Sequence, residues 1–111
     1  MNANYVEAFN SLFRPKLACP HCGFWQDWTI QFKYGAYRRY QYQLGDTLLW
    51  SGNDAGKNAG SSVRVEGKAE NACLNCNDEN VEAAIAVEDN KLQSVILLAY
   101  PLNLKEGFEV I

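Results

Sequence analysis

The chain has 111 residues, of which 48% are hydrophobic and 21% charged, with a net charge of -3. That balance excludes a disordered polar chain, and the acidic charge excludes a protein whose affinity rests on neutralising phosphates. The length fits one domain over residues 1–111, with a core small enough to gain from a metal staple.

In chain order, Asn4 and Glu7 come first, at the N-cap and N3 spacing of a capping box. Tyr5, Phe9, Leu12 and Phe13 then recur at helical spacing ahead of Pro15. This spacing predicts a short amphipathic helix over 5–13, inside an N-terminal helical extension over 1–17. A β core is expected over 18–100. Within it Trp28, Ile30, Phe32 and Tyr34 alternate with polar residues, the pattern of a half-buried strand. Gly35-Ala36 reads as a turn, and Tyr40, Tyr42 and Leu44 continue on one face, so residues 33–42 are expected to form a hairpin. Leu48, Leu49 and Trp50 read as a short apolar strand, and Val63 and Val65 mark another. Residues 51–61, rich in Gly, Asn and Ser, read as a loop. Val81, Ala83, Ile85 and Val87 alternate, Glu88-Asp89-Asn90-Lys91 is turn chemistry, and residues 92–100 return as the second arm of a hairpin. The expected fold is mainly β: an antiparallel sheet of about six short strands with one N-terminal helix.

Residues 1–5 lack the basic segment and following apolar run of a secretory signal. The apolar run at 95–100 is far short of the ~20 residues that span a bilayer. The expectation is a soluble cytoplasmic protein with no membrane partner. In that compartment four cysteines in two close pairs read as metal ligands rather than disulfides.

The pairs are Cys19-Pro20-His21-Cys22-Gly23 and Cys73-Leu74-Asn75-Cys76-Asn77. Two residues between cysteines let a tight turn aim both sulfurs at one ion. Such a turn wants a positive φ just after the second cysteine, which Gly tolerates best and Asn next best. Two facing turns would give Cys19, Cys22, Cys73 and Cys76 the tetrahedral sulfur geometry that zinc prefers. Four cysteines close the coordination shell, so the zinc is expected to be structural and the protein not an enzyme. The two knuckles resemble those of the zinc-ribbon superfamily, which implies a β-rich domain built around the metal. Asn77 and the long segment between the pairs depart from the commonest ribbons. A looser similarity to rubredoxins, whose second knuckle usually also reads Cys-Pro-x-Cys-Gly, makes iron the alternative to zinc.

Cys-Pro-His-Cys also resembles the motif of oxidising thioredoxin-fold enzymes, where the first cysteine sits at a helix N-terminus. Here a period-two segment follows it. His21, the only histidine, reads as a surface residue of the first knuckle. Trp25, Trp28 and Trp50 read as core around the site. Residues 52–58 imitate a phosphate loop one residue short and without its Ser/Thr, so a flexible binding loop with Asn53 and Asp54 is the better reading.

Tyr37, Arg38 and Arg39 are the other candidate contact residues. Tyr and Arg are favoured anchors of protein interfaces, and the same mixture could stack bases and touch phosphates. Residues 1–55 carry five basic and four acidic side chains, and residues 56–111 carry five and nine. The acidic surface should thus come from the second half. The expected function is a small non-enzymatic module that binds protein, as an adaptor, an inhibitor or an immunity-type protein. The alternative is a nucleic-acid-binding ribbon using the Tyr/Arg segment.

Overall fold

The computed structural model describes residues 9–36, 39–52, 54–56 and 62–111. Among the described residues nine strands run in chain order: β1 (Asn10–Ala18), β2 (Trp25–Phe32), β3 (Gly35–Ala36), β4 (Gln41–Tyr42), β5 (Asp54–Ala55), β6 (Ser62–Ala69), β7 (Glu82–Glu88), β8 (Lys91–Leu98) and β9 (Phe108–Val110). One seven-stranded sheet has the order β4-β1-β2-β6-β7-β8, with β9 also paired to β6, while β3 and β5 form a separate pair. The mainly-β expectation holds. The sheet is mixed rather than wholly antiparallel, because β4 runs parallel to β1 at Ser11 and Leu12. With β1 and β9 it also reaches beyond residues 18–100.

No helix occurs among the described residues, and the expected helix over 5–13 is corrected by β1. Residues 5–8 lie outside the described part. From Asn10 onward the chain is extended, with Leu12 buried and Ser11 and Phe13 half-buried. Tertiary contacts override the helical spacing here. Asn10 is buried and spans three backbone groups: its Nδ2 donates to the carbonyls of Tyr34 (3.0 Å) and Ala36 (3.2 Å), and its Oδ1 accepts from the Tyr40 N–H (3.0 Å). Pro15, which looked like a helix stop, sits in a bulge. Arg14 and Pro15 together oppose Trp28, and Arg14 takes φ 60°. A bulge is one of the few places where a sheet accepts a residue lacking an N–H.

The alternation in β2 places Trp28, Ile30, Phe32 and then Tyr34 in the core. Beyond Tyr34 the expected hairpin is absent among the described residues: Gly35 and Ala36 pair with β5, and Gln41 and Tyr42 with β1. Both edges of β2 are taken, by β1 and β6, so the chain passes to the far edge of β1, where Gln41 and Tyr42 pair. Gly35 (φ 95°) enters β3 rather than a turn, and a Cβ there would lie 3.2 Å from the Leu49 carbonyl oxygen. Tyr42 is buried, whereas Leu44 is exposed. Residues 48–50 are not a strand. Leu48 fills the core, Leu49 is exposed, and Asn90 holds the segment by accepting from the Trp50 indole N–H (2.7 Å) and donating to the Leu48 carbonyl (3.1 Å).

β6, β7 and β8 form as expected. Asp89 and Asn90 both have positive φ in a two-residue turn, the geometry that matches strand twist. Gln93 is an extra residue between the pairs Val87–Leu92 and Ala86–Ser94. This bulge lets Leu92 and Val95, three apart, both point inward. Loop residues 45–47 cover the start of β8, with Gly45 donating to the Leu92 carbonyl and Leu92 to that of Asp46. No helix is long and apolar enough to cross a membrane among the described residues.

Candidate metal centre

The first knuckle joins β1 to β2, and the second follows β6. In the first, the Cys19 N–H donates to the Phe24 carbonyl and the Gly23 N–H to that of Cys19, both at 2.9 Å. In the second, the Cys73 N–H donates to the Asp78 carbonyl (3.0 Å) and the Asn77 N–H to that of Cys73 (2.9 Å). The amides of His21 and Asn75 each reach the first sulfur of their own knuckle at 3.4 Å. The two turns thus repeat one another bond for bond, and the demand for positive φ is met by Gly23 (81°) and Asn77 (61°). Nothing lies within 4 Å of a Cβ built on Gly23, so its requirement is conformational alone. Gly23→Ala should cost about 1–2 kcal/mol, while Asn77→Gly should be neutral or stabilising. Denaturant titration of the metal-loaded protein checks both.

All four Sγ atoms lie within 4.8 Å of one another. Across the knuckles Cys19 and Cys76 are 3.8 Å apart, and Cys22 and Cys73 are 3.6 Å apart. A tetrahedron with metal–sulfur bonds of ~2.3 Å has edges of ~3.8 Å, whereas a disulfide needs ~2.05 Å. The four cysteines are positioned to bind a metal ion. Cys19 and Cys73 are buried and belong to the core, and Cys22 and Cys76 face outward. A side-chain hydrogen bond from Asn75, then the Phe24 N–H, holds the Cys22 thiol down at about 6. The Asp78 N–H favours the Cys76 thiolate, yet lost hydration and the three neighbouring sulfurs outweigh it and push that thiol up to about 12. Four sulfurs this close do not all ionise around an empty centre. A cation among them removes the repulsion.

No protein-family model, no curated protein and no solved structure matches the chain. The likeness to zinc ribbons therefore stands on the two knuckles alone.

Three further side chains tie the first knuckle and β2 to the second-knuckle segment, and the spacing of the cysteines did not reveal them. His21 Nε2 meets Asp78 Oδ2 at 2.5 Å, so the histidine, exposed at the surface as expected, also bridges to the second knuckle. Gln26 is buried; its Nε2 donates to the Ala72 carbonyl (3.1 Å) and its Oε1 accepts from the Leu74 N–H (2.7 Å). Asn71 accepts from the Thr29 N–H and donates to the Asp27 carbonyl. Gln26 did carry a signal, since it is the polar residue two places before Trp28 on the inward side of β2. The motif at Cys19 runs into β2, not into a helix whose dipole would activate a redox thiol.

Of the tryptophans, Trp28 is buried and Trp50 half-buried, but Trp25 is 64% exposed and does not belong to the core. It follows Phe24, also exposed. Leu74, in the second knuckle, is 77% exposed. These three large apolar side chains mark the knuckle end of the sheet.

Of the other candidate contact residues, the structure describes Arg39 and Asp54. Tyr37, Arg38 and Asn53 lie outside the described residues. Arg39 is exposed with φ 57°. Asp54 pairs with Ala36 in the β3–β5 ladder. Its carboxylate accepts from the N–H groups of Ser51 and Gly52, which hold it below the usual carboxylate range. Those amides are thereby already engaged, which removes donors a phosphate would need. Tyr34 and Tyr42 are buried, so neither offers a face on which a base could stack.

Proposed function

We propose that the chain is a small, non-enzymatic binding module, stapled in zinc-ribbon fashion by one structural Zn2+ held by Cys19, Cys22, Cys73 and Cys76. The observation that carries this reading is the set of four sulfurs within 4.8 Å of one another, a group that holds no His, Asp or Glu among the described residues. A soft, all-sulfur set selects zinc or iron over hard cations, and a filled shell leaves no position for a reacting water. When bound, the ion supplies cohesion between two distant chain segments. A reducing compartment such as the cytoplasm suits free thiolates.

The partner in this reading is another protein. Trp25, Phe24 and Leu74 at the knuckle end are the support, because exposed aromatic residues beside a rigid element make interface anchors. The net charge of -3 suits a basic partner, as an adaptor, an inhibitor or an immunity-type protein would meet. Burial of two of the tyrosines leaves little for the nucleic-acid alternative.

Native mass spectrometry with elemental analysis tests the metal, and one zinc per chain, lost to chelator, is the expected result. One iron instead would move the site to the rubredoxin-like reading, and no metal would sink it. Capture of a protein partner at low salt, abolished by Trp25→Ala with zinc retained, is expected for the knuckle surface. Undiminished capture by that variant would remove the surface from the proposal.

A further inference from the structure

The sulfur contacts across the two knuckles each join an outward-facing cysteine to a buried one. Cys22 Sγ lies 3.6 Å from Cys73 Sγ, and Cys76 Sγ lies 3.8 Å from Cys19 Sγ. Cys22 and Cys76 are exposed, whereas Cys19 and Cys73 retain 3% and 0% of their accessible surface. A small oxidant arriving from solvent therefore meets one sulfur of each pair, and the second stands behind it in van der Waals contact. The partners belong to distant parts of the chain, 51 and 57 residues apart.

The knuckles are also held face to face by groups other than sulfur. Gln26 of β2 bonds to the Ala72 carbonyl and the Leu74 N–H, His21 reaches Asp78, and Asn71 bonds to the Thr29 N–H and the Asp27 carbonyl. These clasps use no thiolate, so they keep the sulfurs opposed while the sulfurs react. From 3.6 Å, a disulfide needs the two sulfurs of a pair to close by about 1.6 Å, shared between two side chains.

We propose, resting on the metal reading above, that this cluster is an oxidation site where hydrogen peroxide exchanges the ion for two cross-knuckle disulfides, Cys22–Cys73 and Cys19–Cys76. The exposed Cys22 thiolate attacks one peroxide oxygen; the O–O bond breaks, hydroxide leaves, and a sulfenic acid forms. The Cys73 thiolate then attacks the Cys22 sulfur; the S–S bond forms and the S–O bond breaks, releasing a second hydroxide. Two thiolates have lost two electrons, and the two hydroxides take two protons from solvent to become water. A second peroxide does the same at Cys76, with Cys19 as the partner. The thiolate is the form of cysteine that ligates metal, so the oxidised chain gives up its zinc. A bridge across so many residues restricts the unfolded chain far more than one inside a single knuckle. The staple thus persists in covalent form.

Zinc and thiols are counted first on the reduced, loaded chain, where one zinc and four thiols are expected. No zinc at that stage would refute the metal reading and this proposal with it. Hydrogen peroxide at about two equivalents should then release the zinc to a colorimetric chelator and consume all four thiols. Zinc and thiols that survive the oxidant would overturn this proposal alone. Trypsin cuts after Lys16, Lys33, Lys68 and Lys91, so residues 17–33 carry one knuckle and residues 69–91 the other. Digested without reductant, the oxidised chain should yield these two peptides joined, with tandem mass spectrometry placing Cys22 on Cys73 and Cys19 on Cys76. Two separate peptides, each with its own internal disulfide, would overturn the pairing, as would sulfinic or sulfonic acids in place of disulfides. The oxidised, metal-free chain should melt well above the reduced chain stripped by chelator. Equal melting of the two would overturn the covalent staple.

Discussion

Cys73→Ser should lose the metal and with it at least about 5 kcal/mol, as much as the whole stability of many small domains. Cys73 is fully buried in the core and its backbone closes the second knuckle. Replacing its sulfur removes one of four ligands and puts a hydroxyl among apolar groups. The informative comparison is Cys22→Ser. Cys22 is exposed, so its loss creates no cavity and buries nothing polar. Where the metal carries the stability, the two variants fall together, and chelator brings the parent chain down to the same level. Thermal melts of all three, with and without zinc, measure this. Cys22→Ser melting like the parent while Cys73→Ser collapses would assign the cost to packing and remove the staple. The large effect follows from topology: one knuckle links β1 to β2, the other follows β6, and the sulfurs join segments more than 50 residues apart in sequence. Without the ion, closing so long a loop has to be offset by the short β2–β6 ladder and the side-chain clasps of His21, Gln26 and Asn71.

The candidate site was legible in the sequence because its determinants are local. Two cysteines three apart and a residue tolerant of positive φ lie within five positions, and Gly23 and Asn77 take that conformation. The same holds for the β7–β8 turn, where Asp89 and Asn90 supply it. In β2 every inward position from Trp28 to Phe32 is large and apolar, so the strand shows in its own pattern. Elements set by distant partners did not show. β4 is two residues placed by a parallel pairing with β1, and β9 is three residues along β6. Leu92 and Val95 break the period of two through a bulge. Trp25 reads as core by type, yet it sits on the outward side of β2, whose inward side Gln26 occupies with two hydrogen bonds. The periodicity of β2 already separated Trp25 from Trp28 by an odd number of positions, and residue type outweighed it.

Asn10→Ala should destabilise the protein by about 2–4 kcal/mol, because it removes three hydrogen bonds at ~0.5–1.5 kcal/mol each. The sign of the effect matters as much as its size. In an exposed amphipathic helix over 5–13 the same substitution would be neutral or stabilising, since Ala is the better helix former. In β1 the Asn10 amide satisfies two carbonyls and one N–H at once, and all three belong to the segment that carries the chain from β2 to the far edge of β1. Loss of the amide should therefore loosen residues 34–40 first, seen as faster hydrogen exchange at the Tyr40 amide. Asn10→Asp sharpens the test. It keeps an acceptor for Tyr40 but aims a carboxylate at the Tyr34 and Ala36 carbonyls, so its folded-state pKa should rise above the unfolded value. A raised acid contributes stability below the unfolded pKa and loses it as pH rises through the folded one. Asn10→Asp should accordingly be worse than Asn10→Ala at neutral pH, and the gap should close on acidification, where the protonated carboxyl donates to one carbonyl. Urea midpoints of both variants at neutral and mildly acidic pH read this out. An Asn10→Ala protein as stable as the parent would refute the clasp and restore the helical reading of the N-terminal segment.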